Sequence, residues 1–204
     1  MEKKPYFIIT LNKVDLVTLS SVITSSLAVG LALAGYLMLA TALLYLAMLA
    51  DAMDGILARK LGVERDFGRY LDGFMDVLIY LTGPSIIFYL SGFNGWMSVF
   101  LMTMIACGCI RLSVFNQIGN IQESDGLSYL GMPVFWSVFI LGGFKLLQLI
   151  SHETANLLLA VTLSLFSVAM LMSRPFFKFK SLKQILSLTI GGAVLFAVLE
   201  LAAG

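Results

Sequence analysis

The composition of this chain excludes several classes of protein. Its 204 residues are 59% hydrophobic and only 12% charged, and its mean hydropathy is +0.95. A soluble domain carries about 25% charged residues, so we exclude a water-soluble globular enzyme and a disordered chain. The net charge of +1 gives no indication of nucleic-acid binding. Several apolar runs approach or exceed the roughly 20 residues that cross a bilayer as a helix, so the sequence predicts an all-α, polytopic membrane helical bundle.

Seven transmembrane helices are predicted, separated by stretches rich in turn-forming residues. Residues 5–16 precede the first of them and mix apolar residues with Asn12, Lys13 and Asp15, which predicts a short N-terminal helix lying in the membrane interface. The predicted transmembrane segments are 17–34, 37–60, 69–90, 96–116, 131–150, 155–174 and 184–202. The whole chain, 1–204, is expected to form one integral-membrane domain without a removable signal peptide.

The basic residues indicate the orientation of these segments. Lys and Arg concentrate in the cytoplasmic loops of membrane proteins. If the N-terminus is cytoplasmic, every basic residue except Lys145 falls on the cytoplasmic side. These residues are Lys3, Lys4, Lys13, Arg59, Lys60, Arg65, Arg69, Arg111, Arg174, Lys178, Lys180 and Lys183. We therefore expect an integral protein of the cell (cytoplasmic) membrane with a cytoplasmic N-terminus.

Four aspartates lie in or beside the second and third predicted segments, where ionisable side chains are energetically costly and usually functional. Asp51 and Asp54 are separated by three positions, and Asp72 and Asp76 by four, so each pair shares one helix face. A short connection makes the two helices antiparallel neighbours, and the four carboxylates can therefore converge. Converging like charges require cations, and oxygen ligands suit Mg²⁺ or Mn²⁺. Two such ions are suited to displacement at phosphorus.

Small residues and one arginine surround these aspartates. Gly55, Ala58 and Gly68 leave room for a ligand or a neighbouring helix to approach the backbone. Arg59 follows Asp54 by about one helical turn and is placed to hold a phosphate group. Taken singly, the glycines and the alanine are equally compatible with helix packing, and each aspartate with an ion pair.

From position 51 to position 76 the sequence matches the pattern D-x-x-D-G-x-x-A-R, a short spacer, and then G-x-x-x-D-x-x-x-D. In this the chain resembles the CDP-alcohol phosphotransferase family. The resemblance implies two divalent cations, Mg²⁺ or Mn²⁺, held by Asp51, Asp54, Asp72 and Asp76. It also implies that Asp76 is the catalytic general base, that the active site faces the cytoplasm, and that the protein is a homodimer.

The same resemblance implies contacts to a CDP-linked lipid. Gly55 and Arg59 would contact the CDP moiety, and Ala58 and Gly68 of the same motif would line its site. The family often begins its first span with the element Pro-Asn-x-x-Thr, and the nearest match here lies at 14–18. Thr18 is retained as an expected contact, although valine and aspartate stand in place of proline and asparagine.

Two later stretches resemble the phosphatidylserine synthase branch of that family. They are 111–116, followed by 129–133, and then 173–180. The resemblance implies transfer of a phosphatidyl group from CDP-diacylglycerol to a small polar alcohol, L-serine, with release of CMP. It makes Arg111, Asn116 and Lys180 the candidate acceptor contacts, and membrane lipids the surroundings of the reaction.

The acceptor and the donor tails stay open at this point. Ser113 and Val114 stand where the branch carries Ala-Arg, so one guanidinium that would suit the serine carboxylate is missing. Glycerol 3-phosphate, inositol phosphate or another head group are the alternative acceptors, and a CDP-archaeol donor is the alternative lipid. A cation transporter is the alternative from another class, because intramembrane carboxylates can line an ion path.

Overall fold

The computed structural model describes residues 8–63, 65–118, 121–123, 126–176 and 182–203. The helices are α1 (Lys13–Leu33), α2 (Leu37–Leu61), α3 (Asp66–Asp76), α4 (Gly83–Leu90), α5 (Ser98–Ile118), α6 (Trp136–Gln148), α7 (His152–Leu171) and α8 (Leu182–Ala203). A π-helical turn, Val77–Thr82, joins α3 to α4, and a 3-10 turn, Gly95–Met97, precedes α5. The strands are β1 (Ile121–Glu123), β2 (Gly126–Leu130) and β3 (Pro175–Phe176).

Within the described residues, six helical stretches are long and apolar enough to cross a bilayer, which confirms an integral membrane protein built as a helical bundle. They are Lys13–Leu33, Leu37–Leu61, Asp66–Leu90, Gly95–Ile118, His152–Leu171 and Lys183–Ala202. The predicted last segment, 184–202, falls within the sixth. Helix α8 runs antiparallel to α2, because the Glu200 carboxylate near its end accepts a hydrogen bond from the Leu39 N–H near the start of α2 at 2.9 Å.

The start of the first helix differs from the prediction. The Asn12 side chain accepts a hydrogen bond from the Asp15 N–H at 2.9 Å, and the Asp15 carboxylate accepts one from the Asn12 N–H at 2.7 Å. This capping box begins α1 at Lys13. The predicted interfacial helix over 5–16 does not form over 8–12, and 13–16 are instead the first turn of α1; residues 5–7 lie outside the described part of the chain.

The predicted segment 131–150 is helical only over Trp136–Gln148, a length of about 20 Å. Gly131 has a positive φ of 71°, and its N–H donates to the Arg174 carbonyl at 2.9 Å, so this segment begins beside the end of α7. A tight turn over 149–151 joins its other end to the start of α7. This segment therefore contributes a shorter apolar helix that packs against α7, beside the six longer stretches.

A small antiparallel sheet ties the ends of α5 and α7 together, in the stretches that separate predicted transmembrane segments. Strand β1 pairs with β2, with Ile121 opposite Ser128, and β2 pairs with β3, with Leu130 opposite Pro175. The order β1-β2-β3 places the connection after α5 at the same end of the bundle as the end of α7.

Helix α2 lies at the centre of the bundle, in contact with α1, α4, α6 and α8. Its buried Tyr45 stacks on Phe196 of α8, with ring centroids 5.8 Å apart, and meets Phe139 of α6 edge-on at 5.7 Å. Gly192 of α8 faces the same ring: a Cβ at this position would lie 2.5 Å from Tyr45 Cε1. The close approach of α8 to α2 therefore depends on the absence of a side chain at position 192.

We expect Gly192→Ala to destabilise the bundle by about 1–3 kcal/mol, because the added methyl group would lie 2.5 Å from the Tyr45 ring, which packs against Phe196 and Phe139. Gly191→Ala is the matched control, since a Cβ at 191 meets nothing within 4 Å and alanine favours the helix over glycine. Thermal unfolding of both variants in detergent micelles measures the difference. Equal unfolding midpoints would contradict the proposed contact.

Candidate active site

Three carboxylates, one from α2 and two from α3, converge inside the bundle. Asp51 of α2 and Asp72 and Asp76 of α3 each offer an oxygen, and these oxygens lie within 4.8 Å of one another. Asp51 precedes the last residue of α2, Leu61, by about 15 Å of helix, so the cluster lies well inside the bundle. The i,i+4 spacing puts the two α3 carboxylates on one helix face, and the tertiary structure brings Asp51 to them. The sequence predicted convergence of four carboxylates, and three lie in this group.

Asp54, the fourth aspartate, lies about one turn further along α2 and outside this set of three. It is buried, with 4% of its surface exposed, and the Thr18 side chain and the Arg59 guanidinium lie near its carboxylate. Asp54 and Asp72 both line the neighbouring cleft. The fourth carboxylate therefore connects the cluster with that cleft.

Two oxygens of these carboxylates are poorly satisfied. Asp51 Oδ1 and Asp54 Oδ2 are buried and accept no hydrogen bond from the described residues. A buried polar atom without a partner costs about 1–3 kcal/mol, and more when it is charged. Carboxylate oxygens are the ligands that Mg²⁺ and Mn²⁺ prefer, so the residues present fit divalent cations.

A cleft of about 410 Å³ opens beside Asp54 and Asp72, between the start of α1, the end of α2 and the start of α3. All the residues expected to contact the CDP-linked lipid line it. They are Thr18, Gly55, Ala58, Arg59 and Gly68. The structure thus brings together residues from three elements, of which Thr18 is distant in sequence from the other four.

Within this cleft the Arg59 side chain folds back over the preceding turn of α2. A Cβ built on Gly55 would lie 3.6 Å from Arg59 Nη1, so the guanidinium lies directly over the glycine. An alanine Cβ at position 55 would make ordinary van der Waals contact with it. The pair Gly55 and Arg59 therefore forms one surface, with an open backbone and a cation beside it.

Sequence reasoning missed an ion pair at the edge of the cleft. Asp15, with 2% of its surface exposed, pairs with Arg65, whose Nη1 also donates to the Thr10 carbonyl at 3.1 Å. Arg65 thus fastens the loop between α2 and α3 to the start of α1. In the sequence, Asp15 was notable only because it replaces the asparagine of the family's element. Nothing in the sequence indicated that it contacts Arg65, fifty positions later.

The structure places two of the three candidate acceptor contacts against α3. Arg111 of α5 is buried and lies near Asp76, with its guanidinium carbon 5.1 Å from the centre of the Phe115 ring. The Asn116 amide packs on Gly73, where a Cβ would lie 2.6 Å from Asn116 Nδ2. Both side chains therefore lie within about one turn of Asp76, whereas Lys180 lies outside the described residues.

Known proteins are similar to this chain in sequence over much of its length. The sequence model of the CDP-alcohol phosphatidyltransferase family matches residues 11–173. A CDP-diacylglycerol–serine O-phosphatidyltransferase of Methanocaldococcus jannaschii is 30% identical over 155 residues, which cover 76% of this chain and 70% of that protein. The Bacillus subtilis protein of the same name is 32% identical over 124 residues, which cover 58% of this chain and 67% of the relative.

A third relative carries a different name. The archaetidylserine synthase of Methanothermobacter thermautotrophicus is 28% identical over 158 residues, which cover 75% of this chain and 66% of that protein. The chain thus spans about two thirds of the length of the relatives that it matches.

We expect Arg65→Met to lower the free energy of unfolding by about 1–3 kcal/mol, because it leaves the Asp15 carboxylate, 3% exposed, without its cation. Arg69→Met is the matched control. Arg69 pairs with Asp66 on the surface, where the two side chains are 39% and 84% exposed, so its loss changes stability by about 0.5 kcal/mol or less. Denaturant unfolding in micelles compares the two variants, and equal losses would contradict a structural role for the Asp15–Arg65 pair.

Proposed function

The chain belongs to the CDP-alcohol phosphatidyltransferase family, and on that basis we propose that it transfers a phosphatidyl group from CDP-diacylglycerol to L-serine and releases CMP. The observation that carries the proposal is the convergence of the Asp51, Asp72 and Asp76 carboxylates within 4.8 Å, beside a cleft of about 410 Å³. Relatives named as serine O-phosphatidyltransferases support serine as the acceptor.

The cleft receives the CDP moiety of the donor. Its volume falls in the range of small-molecule sites, about 300–1,000 Å³. The open backbone at Gly55 and the guanidinium of Arg59 bind the pyrophosphate, and the small side chains of Ala58 and Gly68 leave room for the nucleotide. Thr18 contributes a hydroxyl from α1. The two lipid tails remain among the apolar helices.

Asp51, Asp54, Asp72 and Asp76 hold two divalent cations, Mg²⁺ or Mn²⁺. The support is the convergence of three carboxylates and the two buried oxygens that accept no hydrogen bond from the described residues. When bound, such ions neutralise phosphate oxygens and favour attack at phosphorus.

Asp76 is the general base of the transfer. It takes the proton of the serine hydroxyl as that oxygen forms a bond to the β-phosphorus, the one attached to diacylglycerol. The bond from this phosphorus to the oxygen shared with CMP breaks, and CMP leaves with its new charge near Arg59. Arg111, which lies near Asp76, pairs with the serine carboxylate, and Asn116 offers its amide beside it.

The site faces the cytoplasm, and the N-terminus lies on the same side. The support is the clustering of Arg59, Lys60, Arg65 and Arg69 around the connection between α2 and α3, at the end of the bundle that carries the cleft. Serine can reach this face from the cytoplasm while the lipid donor arrives within the membrane. Lys3, Lys4, Lys178 and Lys180, which the orientation prediction also used, lie outside the described residues.

The donor tails have two candidate chemistries. One relative is named an archaetidylserine synthase, which favours CDP-archaeol as a second donor to test. Lipid tails are bound by apolar surface rather than by hydrogen bonds, so the same cleft suits either donor.

CMP release by the purified chain tests the acceptor. We expect L-serine to support release from CDP-diacylglycerol or CDP-archaeol, and glycerol 3-phosphate and inositol phosphate to support little. EDTA should abolish release, and Mg²⁺ or Mn²⁺ should restore it. Release with glycerol 3-phosphate but not serine would reassign the acceptor, and release undiminished by EDTA would refute the metal-dependent site.

We expect Asp76→Asn to retain CDP-lipid binding and to slow CMP release by about 10²–10⁴-fold, because the amide cannot accept the serine proton. Binding of CDP-diacylglycerol to the variant in nanodiscs, measured beside turnover, separates the two effects. Glu153→Gln, which alters an exposed carboxylate at the start of α7, is the control and should keep full activity. Full activity of Asp76→Asn would contradict the assignment of the base.

A further inference from the structure

Tyr80 forms part of the wall of the aspartate cluster, and no step described above uses it. Its side chain is buried, with 3% of the residue exposed, and its hydroxyl donates a hydrogen bond to Asp51 Oδ2 at 2.7 Å. This bond joins the π-helical turn after α3 to the middle of α2. A carboxylate that belongs to the cluster is therefore held by a residue outside the sequence pattern at 51–76.

The hydrogen bond makes the two oxygens of Asp51 different. Oδ2 is occupied by the phenol, whereas Oδ1 is buried and accepts no hydrogen bond from the described residues. The last torsion of an aspartate side chain is otherwise soft, with a broad range of angles. Rotation of the carboxylate would break the bond to Tyr80, so the phenol determines which oxygen stays free and in which direction it points.

The backbone explains why Tyr80 reaches the cluster. Asp72, Asp76 and Tyr80 recur at four-residue intervals, and in a regular α-helix such a row drifts by about 40° at each step. Over Val77–Thr82 the helix widens into a π-turn, with the Gly83 N–H bonded to the Leu78 carbonyl five residues before it. A wider turn needs more residues, which reduces the drift and keeps Tyr80 above the two aspartates.

We propose that Tyr80 is a positioning residue that orients the Asp51 carboxylate so that its free oxygen binds a divalent cation. The inference rests on the proposed function, because it requires Asp51 to be a metal ligand. Hydrogen-bond partners of metal ligands fix the orientation of those ligands, and their loss typically weakens metal binding by about 10–100-fold. Tyr80 thus sets the affinity for the cation without touching it.

Mn²⁺ binding to the purified full chain in micelles, without substrates, tests this role. Free Mn²⁺ is followed by its electron paramagnetic resonance signal. We expect Tyr80→Phe to raise the dissociation constant about tenfold or more. Tyr89→Phe removes an exposed hydroxyl, on a residue 50% exposed in α4, and should bind Mn²⁺ as the unaltered chain does. If Tyr80→Phe fails to fold, Tyr80→Met, which fills the space flexibly and lacks the donor, takes its place.

Asp51→Asn separates failure of this inference from failure of the proposed function. If Asp51→Asn loses Mn²⁺ binding while the Tyr80 variant binds normally, Tyr80 does not position the ligand, and the inference is overturned. If both variants bind Mn²⁺ as tightly as the unaltered chain, the metal site itself is wrong, and the inference fails with it. Weakened binding in both variants, with Tyr89→Phe unaffected, supports the inference.

Discussion

Carboxylates held together inside a membrane protein repel one another, and much of the local structure serves to hold these in place. The connection between α2 and α3 is short because Gly62, with φ of 63°, ends α2 in a left-handed conformation that allows a sharp turn. On the other side, the contact between Gly73 and Asn116 brings α5 against α3. Pro84, which lacks an N–H, disrupts the regular helix and accompanies the π-turn that follows Asp76. The left-handed Gly62, the close contact at Gly73 and the π-turn are thus departures from regular helix geometry and packing near the cluster.

At the opposite end of the bundle, the buried side chains of Lys145 and Gln148 form hydrogen bonds with each other and with Ser91. Lys145, 6% exposed, donates hydrogen bonds to Gln148 at 2.9 Å and to the Ser91 hydroxyl at 3.2 Å, and Gln148 donates to the Ser91 carbonyl at 2.8 Å. This network fastens the end of α4 to the end of α6. It also explains the one basic residue that the charge distribution assigned to the outer side, because Lys145 is buried between helices rather than exposed in a loop. The Lys145 network has its hydrogen bonds made, whereas the aspartate cluster keeps buried oxygens that accept no hydrogen bond from the described residues.

The parts of the fold and site that follow local spacing were predictable from the sequence. Apolar runs predicted the transmembrane helices, and the intervals between the four aspartates predicted which of them share a helix face. Contacts between distant positions were not predictable: Asp15 with Arg65, and Asp51 with Tyr80, are paired by tertiary packing alone. The sequence did not predict the short strands, because segments of two to five residues are too short to show an alternation of apolar and polar side chains. The homodimer and the role of Lys180 stay predictions.

The cleft draws almost all of its lining from the first part of the chain, between the capping box of α1 and the second turn of α3, with Phe115 as the exception. The side chains proposed to receive the acceptor come from α5 and the residues after it. In the proposed function, donor and acceptor are therefore recognised by consecutive stretches of sequence that meet near Asp76. In such an arrangement, substitutions in the second half can change which alcohol is used while the nucleotide site stays intact, so one catalytic core can give rise to membranes of different head-group composition.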